Sequence, residues 1–399
     1  MSKTAVSDKR IYLDYASTTP LDKEVLKKME GCFFVNYGNP SSLYKSGRTA
    51  KNILNKARLD VANIINVNTN EIIFTGSGTE SDNLALIGVA RANKDRGNHI
   101  IISAIEHKAV MESVNLLQKE GFDITILSVD NNGLVSVEEC IKKITPKTIL
   151  ISIMYANNEI GTVEPIKELA EAIKKYRGSN HFPLFHTDAC QAPGQLSLDV
   201  KKLGIDLMTL NGSKIYGPKG VGMLYKKEDI KIDPIIIGGG QENGLRAGTE
   251  NVAYIVGFAE ALKKVVANAS KESKRLTELR DYFINSLTQK VPDSIINGHK
   301  ILRLPNNIHF SIPYIEGESI ILLLDSYGIE ASTGSACSAR DLMPSHVLSA
   351  IGQNTDLIHG SIRFTLGKYT SKKDIEYVMS VFPEIIKKLK GMSALTIKK

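Results

Sequence analysis

The sequence predicts an α/β protein: a large domain built on a mostly parallel central sheet, with a smaller α+β domain toward the C-terminus. Three observations carry this. From residue 71 to residue 225, strand-like and helix-like segments alternate, which is the pattern of a parallel sheet with crossover helices. Residues 148–155 are apolar and β-branched without alternation, as expected of a strand covered on both faces. Beyond the glycine-rich stretch at 238–250 the alternation gives way to two long helical segments, 252–268 and 270–287, the second reading as a crossover to the smaller domain. A chain of 399 residues, 42% hydrophobic, is long enough for such a division. The expected parts are an N-terminal segment, 1–15, packed with the small domain, a large domain over 16–262 and a small domain over 263–399.

Taken in order, residues 12–20 read as a short strand ending in a turn. Asp22 N-caps a helix to about Phe33. The loop Asn39-Pro40-Ser41-Ser42 separates it from a helix over 44–65, and these first sixty-odd residues can pack as an arm on the small domain. A strand at 71–74 runs into the small-residue turn Thr75-Gly76-Ser77-Gly78-Thr79-Glu80-Ser81. A helix follows, because Leu84, Ile87 and Gly88 keep a helical period. Strands at 99–103, 123–127, 148–155, 182–189 and 206–210 alternate with helices at 110–120, 137–141 and 166–176. Residues 222–225 pair back as a hairpin-like strand. The smaller domain reads as a strand at 307–311, a helix at 318–325, a short strand at 329–332, a strand at 361–367 and a last helix capped at Ser371-Lys372-Lys373-Asp374.

Composition removes several classes. No run of eighteen apolar residues exists, so no membrane span is expected. Met1-Ser2-Lys3-Thr4 leads into a charged segment and lacks the apolar core of a signal peptide. The net charge of +7 fits solubility or an acidic partner, and no recognition motif accompanies it, so direct nucleic-acid binding is not expected. Cys32, Cys140, Cys190 and Cys337 form no CxxC pair, which argues against a metal ribbon or a disulfide scaffold and fits a reducing cytoplasm.

The residues with chemistry stand at strand ends, where open α/β sheets bind ligands. Lys214 lies between the apolar run 205–210 and the turn Gly217-Pro218-Lys219-Gly220. An amine held among apolar groups loses solvation, drops in pKa and can form a Schiff base. The turn around Gly78 and Thr79, between a strand and a helix N-terminus, can cradle one phosphate. It lacks the lysine of a P-loop, so the phosphate is bound and not transferred. His107, at the end of strand 99–103, can stack on a flat cofactor or move a proton, or simply cap its helix. Asp188 ends the strand at 182–189. Pyridoxal phosphate needs a lysine, an anion cradle, an acid partner for its ring nitrogen and a contact on the ring face. Lys214, the turn at 76–81, Asp188 and His107 supply them. Gln191 can reach the O3′ side of the ring, and Asn158 the ring or a substrate carboxylate. Arg363 sits in an apolar strand, where an unpaired guanidinium is costly and a substrate carboxylate would pair with it. Cys337 lies among Thr333, Gly334, Ser335, Ala336, Ser338 and Ala339, unlike a packed structural cysteine. Cys32 and Cys140 look like helix packing, and Cys190 stands close to the expected site.

The chain resembles the NifS/IscS-like cysteine desulfurases, in the class V aminotransferase branch of fold-type I pyridoxal-phosphate enzymes. The resemblance runs from Tyr12-Leu13-Asp14-Tyr15-Ala16-Ser17-Thr18-Thr19-Pro20 to Ser361-Ile362-Arg363-Phe364. It includes Thr79-Glu80-Ser81-Asp82-Asn83, Glu106-His107-Lys108, Asn157-Asn158-Glu159-Ile160-Gly161, His186-Thr187-Asp188-Ala189-Cys190-Gln191, Lys214-Ile215-Tyr216-Gly217-Pro218-Lys219-Gly220, Arg246-Ala247-Gly248-Thr249 and Gly334-Ser335-Ala336-Cys337. It implies the fold-type I architecture, L-cysteine as substrate and L-alanine as product. Lys214 would hold the cofactor, His107 would stack on its ring, Asp188 would pair with its nitrogen and Gln191 would contact O3′. Thr79 would bind its phosphate, and Thr249 would reach the phosphate of the other subunit of a homodimer. Asn158 and Arg363 would hold the substrate carboxylate. Cys337 would take the sulfur as a persulfide and pass it to an iron–sulfur scaffold or a tRNA-thiolation enzyme. Ser213 stands where the family has a histidine before the lysine; its hydroxyl can still donate to phosphate, but it is shorter and carries no charge. The tail, 392–399, is shorter than in the iron–sulfur type, which leaves a specialised sulfur-delivery role open. The competing expectations are a selenocysteine lyase or another class V enzyme such as an aminotransferase, against which Cys337 argues, and a non-catalytic sulfur-pathway scaffold.

Overall fold

Seven strands build the sheet that carries the site. In spatial order they are β2 (Ile72–Thr75), β8 (Gly222–Lys226), β7 (Leu207–Asn211), β6 (Leu184–Asp188), β5 (Thr148–Ser152), β3 (His99–Ser103) and β4 (Asp123–Leu127). From β7 to β4 the pairing is parallel, and β8 runs antiparallel to both β2 and β7. The structure, a computed structural model, describes residues 10–334 and 344–392. All five residues of β5 are buried, which explains its unbroken apolar run.

Side chains alternate across the sheet. Ile100 and Ile102 face a core that takes in residues 84–87, just after α3 (Gly78–Asn83), together with α4 (Val89–Ala92) and α5 (Lys108–Lys119). Ile101, Ile151, Phe185 and Met208 face the opposite core. That core takes in α1 (Lys23–Phe34), α2 (Lys45–Ile65), α6 (Val137–Lys143), α7 (Ile166–Arg177), α8 (Val200–Leu203) and α9 (Val252–Ala267). A π-helical turn, Leu84–Gly88, joins α3 to α4.

Asp22 caps α1 as expected, accepting from the Glu24 and Val25 amides at 2.9 and 3.3 Å. The placement of α1 and α2 corrects the sequence reading. Both pack on α9, and Val25, Met29, Leu54 and Ile65 join the large-domain core, so the first sixty-odd residues are not an arm on the small domain. Only the start of the described chain goes there: β1 (Ile11–Tyr12) pairs with β11 (Ile329–Glu330), and Ile11 and Leu13 enter the second core. Amphipathic periodicity reveals an apolar face without naming the surface it covers.

The second core lies under an antiparallel sheet of β9 (Ile295–Ile296), β10 (Asn307–Ser311) and β12 (Ser361–Thr365). It is covered by α10 (Ala269–Lys290), α11 (Gly317–Ser326) and α14 (Lys372–Met392). Two helices absent from the sequence reading, α12 (His346–Ala350) and α13 (Thr355–His359), place Val347, Leu348 and Ile358 against Ile105 and Met154. That contact joins the small domain to the strand ends of the large one. Among the described residues, no helix is long and apolar enough to cross a membrane.

His309 in β10 is fully buried, and burial, with Arg363 and Arg303 acting the same way, lowers its pKa to about 3. An unfolded histidine titrates near about 6.5. Between those values the unfolded chain binds the extra proton, so this residue's contribution to stability falls as pH falls. The stability gap between the parent and His309→Gln is expected to narrow by about 1.4 kcal/mol per pH unit below about pH 6.5. Denaturant melts over a pH series check this, and a gap independent of pH refutes it.

Candidate active site

The loops after β2, β3, β5, β6 and β7 converge on a cavity of about 290 Å³. Lys214 enters it from the turn after β7. There the Asn211 side chain accepts from the Ser213 amide at 3.2 Å and tightens Gly212–Lys214 into a single 3₁₀ turn. The Lys214 amine donates to the Ser17 carbonyl. Burial lowers its pKa, with the Arg363 guanidinium acting in the same sense and Cys190, Asp14 and Asp188 opposing.

Asp188, Asp82 and His107 each bring one oxygen or nitrogen to within 4.8 Å of the others. Asp188 Oδ1 accepts from the Cys190 amide at 2.9 Å. Asp82, on α3, is raised well above the usual carboxyl range by burial and by Asp188. His107 caps α5, its Nδ1 accepting from the Ala109 amide at 3.1 Å, and it also lines the cavity. The cap uses Nδ1 as an acceptor, which leaves the proton of the neutral ring on Nε2.

The turn before α3 is braced by its own side chains and by the glycine-rich loop. Ser77 caps the helix, accepting from the Glu80 amide at 3.1 Å. Glu80 in turn accepts from the Gly76 amide at 2.8 Å and from Arg246 of the glycine-rich loop at 2.9 Å. A Cβ on Gly78 would stand 2.8 Å from the Cys190 sulfur, so a side chain there would force that sulfur or the turn to move. Gly78 and Thr79 both line the cavity.

Asn158, Gln191 and Arg363 line it too, but Arg363 is not unpaired as its strand suggested. It is 2% exposed, and its two terminal nitrogens reach Asp14 at 2.7 Å, Ser17 at 2.9 Å and the carbonyls of Asn158 and Gly334 at 2.8 Å each. Asp14 comes from the N-terminal segment, which nothing in the sequence of β12 announces. The same segment supplies Ala16, whose carbonyl accepts from Gln191 Nε2 at 3.0 Å. Ser213 is not part of the lining; its carbonyl accepts from the Thr19 amide and hydroxyl, each at 2.9 Å. Thr249 is exposed on the glycine-rich loop, away from this lining.

Cys337 lies outside the described residues. The residues on either side of 335–343 are anchored at the cavity. The Gly334 carbonyl accepts from Arg363, and His346 lines the cavity and donates from Nε2 to the Glu106 carbonyl at 2.9 Å. The sequence reading gave no individual role to Ser17, Asp82, Glu106 or His346. Asp82 and Glu106 lie within the quoted motifs, whereas His346 is positioned only by the packing of α12.

A lysine amine of lowered pKa, a strand-end carboxylate and a glycine-opened anion turn share one cavity, and these residues fit pyridoxal phosphate. Together with the sheet order they define a pyridoxal-phosphate enzyme of fold type I. The aminotransferase class-V profile matches residues 11–378. A cysteine desulfurase IscS of Dictyoglomus turgidum is 51% identical over 385 residues, 96% of each chain. One from Methanosarcina thermophila is 48% identical over 394 residues, covering 99% of this chain and 96% of its own. A solved NifS-like protein superposes with a TM-score of 0.89 at 37% identity, covering 96% of this chain and 100% of its own. The chain belongs to the cysteine desulfurases of the class-V aminotransferase family.

Proposed function

We propose that this desulfurase converts L-cysteine to L-alanine by passing the sulfur to Cys337. The observation that carries this reading is the shared cavity: Lys214, Asp188 and the anion turn open onto it, as does His346 after the segment that holds Cys337, while before that segment the Gly334 carbonyl bonds Arg363 of the lining. The reaction balances without an outside oxidant. The substrate C–S bond breaks and an S–S bond forms to Cys337; the carbon is reduced to the methyl of alanine, and the sulfur is oxidised to a persulfide.

Bound pyridoxal phosphate supplies a carbonyl for the substrate amine and a ring that draws electrons from the adjoining carbon. Lys214 holds the cofactor and carries a proton at Nζ. Asp188 offers a negative charge to the ring nitrogen, His107 covers the ring and Gln191 reaches its O3′ side. Gly78 and Thr79 bind the phosphate; Ser213, outside the lining, takes no part in holding it. Asn158 and Arg363 orient the substrate carboxylate. Residues 16–262 form the cofactor domain, 263–399 form the domain that brings Cys337, and residues 1–15 pack with the latter. The persulfide passes to an acceptor protein, an iron–sulfur scaffold or a tRNA-thiolation enzyme, in the cytoplasm. Purified protein with cysteine and a reductant tests this: alanine and sulfide should form in equal amounts, and the absence of alanine overturns it.

The functional unit in this proposal is a homodimer. Phe34, Leu43 and Ile237 are 80%, 89% and 87% exposed, and Val35, Tyr37 and Tyr44 are exposed as well. Such exposed apolar side chains support a surface covered by a partner copy. Thr249 would reach the partner's cofactor phosphate across it. Phe34→Glu with Leu43→Lys is expected to yield monomers that release pyridoxal phosphate faster, by light scattering and absorbance. A parent protein that is itself monomeric refutes the arrangement.

A further inference from the structure

Glu106 has no part in the roles assigned above. It follows β3, immediately before His107, is 0% exposed and lines the cavity. Its Oε1 accepts from the Ser103 hydroxyl and from the Met154 amide at 2.9 Å, whereas Oε2 is buried without a partner. A buried carboxylate needs donors on both oxygens. With both of its donors on Oε1, this carboxyl is better accommodated as the acid, its proton on Oε2.

The neighbours agree. Asp188 on β6, Asp82 on α3 and Glu164 before α7 add negative potential at Glu106 or share its surroundings. Lys108, His107, Lys214, His346 and Arg363 line the cavity from other elements, yet none bonds Oε2. Arg363 is engaged by Asp14, Lys214 by the Ser17 carbonyl and His346 by the Glu106 carbonyl. Burial pushes Glu106 up to about 8, with Asp188 and Glu164 adding to the effect and the bonds from Ser103 and Met154 opposing it.

We infer that Glu106 is a positioning residue that sets the site's affinity for the anionic end of an amino acid. It works as the neutral acid, keeping a second negative charge out of the cavity beside Asp188, and its ionisation weakens amino-acid binding. This rests on the proposed function and goes beyond it, because no step of sulfur transfer needs Glu106.

Holoenzyme with L-alanine provides the test, because alanine has a carboxylate but no thiol to titrate. Its affinity is read from the change in cofactor absorbance between about pH 7 and about pH 9.5. Glu106→Gln keeps an acceptor for Ser103 and Met154 and places an amide donor where Oε2–H stood. Relative to this variant, the parent is expected to lose about tenfold in affinity across the range, the weight of one like charge in a partly screened pocket. The KM for cysteine should follow the same course while kcat does not. Ser103→Ala removes a donor that favours the ionised form, so its break should move to higher pH. Ionisation of alanine and of Lys214 is common to all three proteins. An identical pH dependence in parent and variants overturns the inference, as does a Glu106→Gln that lowers kcat and affinity equally at every pH. If Glu106→Gln does not fold, an unmoved break in Ser103→Ala overturns it alone. A parent that binds no amino acid at any pH removes the desulfurase reading and this inference with it.

Discussion

Lys214→Ala is expected to abolish alanine formation and to leave no cofactor covalently attached. In the parent, borohydride reduction should fix the pyridoxyl group on the peptide containing Lys214. The only other lysine of that turn, Lys219, makes the assignment testable. Lys219 is exposed on the Gly-Pro-Lys-Gly turn, bonds the Thr19 carbonyl at 3.4 Å and does not line the site cavity. Lys214 has the opposite environment: burial and the nearby Arg363 favour its neutral amine. Losing its proton-carrying role alone costs roughly 10²–10⁴-fold in rate, and losing the attachment adds to that. A pyridoxyl label on Lys219, or a variant that still turns over at a tenth of the parent rate or better, would sink the assignment. Added methylamine should restore part of the proton transfer without restoring the covalent label.

How much of this was legible in the sequence depended on whether the signal was local. His99–Ser103 and Thr148–Ser152 fall within the strands the sequence predicts, because strands buried in a parallel sheet are short apolar runs bounded by turns. The cap at Asp22 was equally local. The five-residue α12 and α13 are too short to show a period, and the π-turn at Leu84–Gly88 leaves the apolar pattern of its helix intact. The packing of α1 and α2 on α9 is a tertiary choice that their own sequences do not encode.

The site divides in the same way. Lys214, Asp188 and His107 could be found because each ends a recognisable strand, and the topology places strand ends together. The partner of Arg363 could not. Asp14 and Arg363 are far apart in the chain, and the contact exists because β1 lies along β11 and carries Asp14 and Ser17 over β12. The cost of an unpaired guanidinium was the right argument, but it predicts a partner without identifying one. Glu106 shows the reverse case. It was quoted within a motif, and only its burial and bare Oε2 show that its protonation state matters.

Cys337→Ser is expected to keep bound cofactor and to bind cysteine, yet to form alanine only at background. A serine oxygen cannot accept sulfur as a persulfide, whereas nothing in the cofactor's proposed contacts passes through residue 337. The other three cysteines are poor substitutes on physical grounds. Sulfur attack requires a thiolate. Burial raises the Cys32 thiol on α1 and pushes Cys140 on α6 up to about 12. Cys190 does line the cavity, but burial, Asp188 and Asp82 all raise it well above the usual thiol range. Its sulfur is also packed where a Cβ on Gly78 would stand, against the anion turn. Cys32→Ser and Cys140→Ser should therefore leave the rate close to that of the parent. Brief exposure to cysteine without reductant, followed by mass spectrometry, should find one added sulfur on the peptide containing Cys337. Alkylation beforehand should abolish both that mark and alanine formation. An added sulfur found only on Cys190 would move the acceptor to the floor of the cavity, beside the anion turn, and the division of labour proposed between the two domains would fall with it.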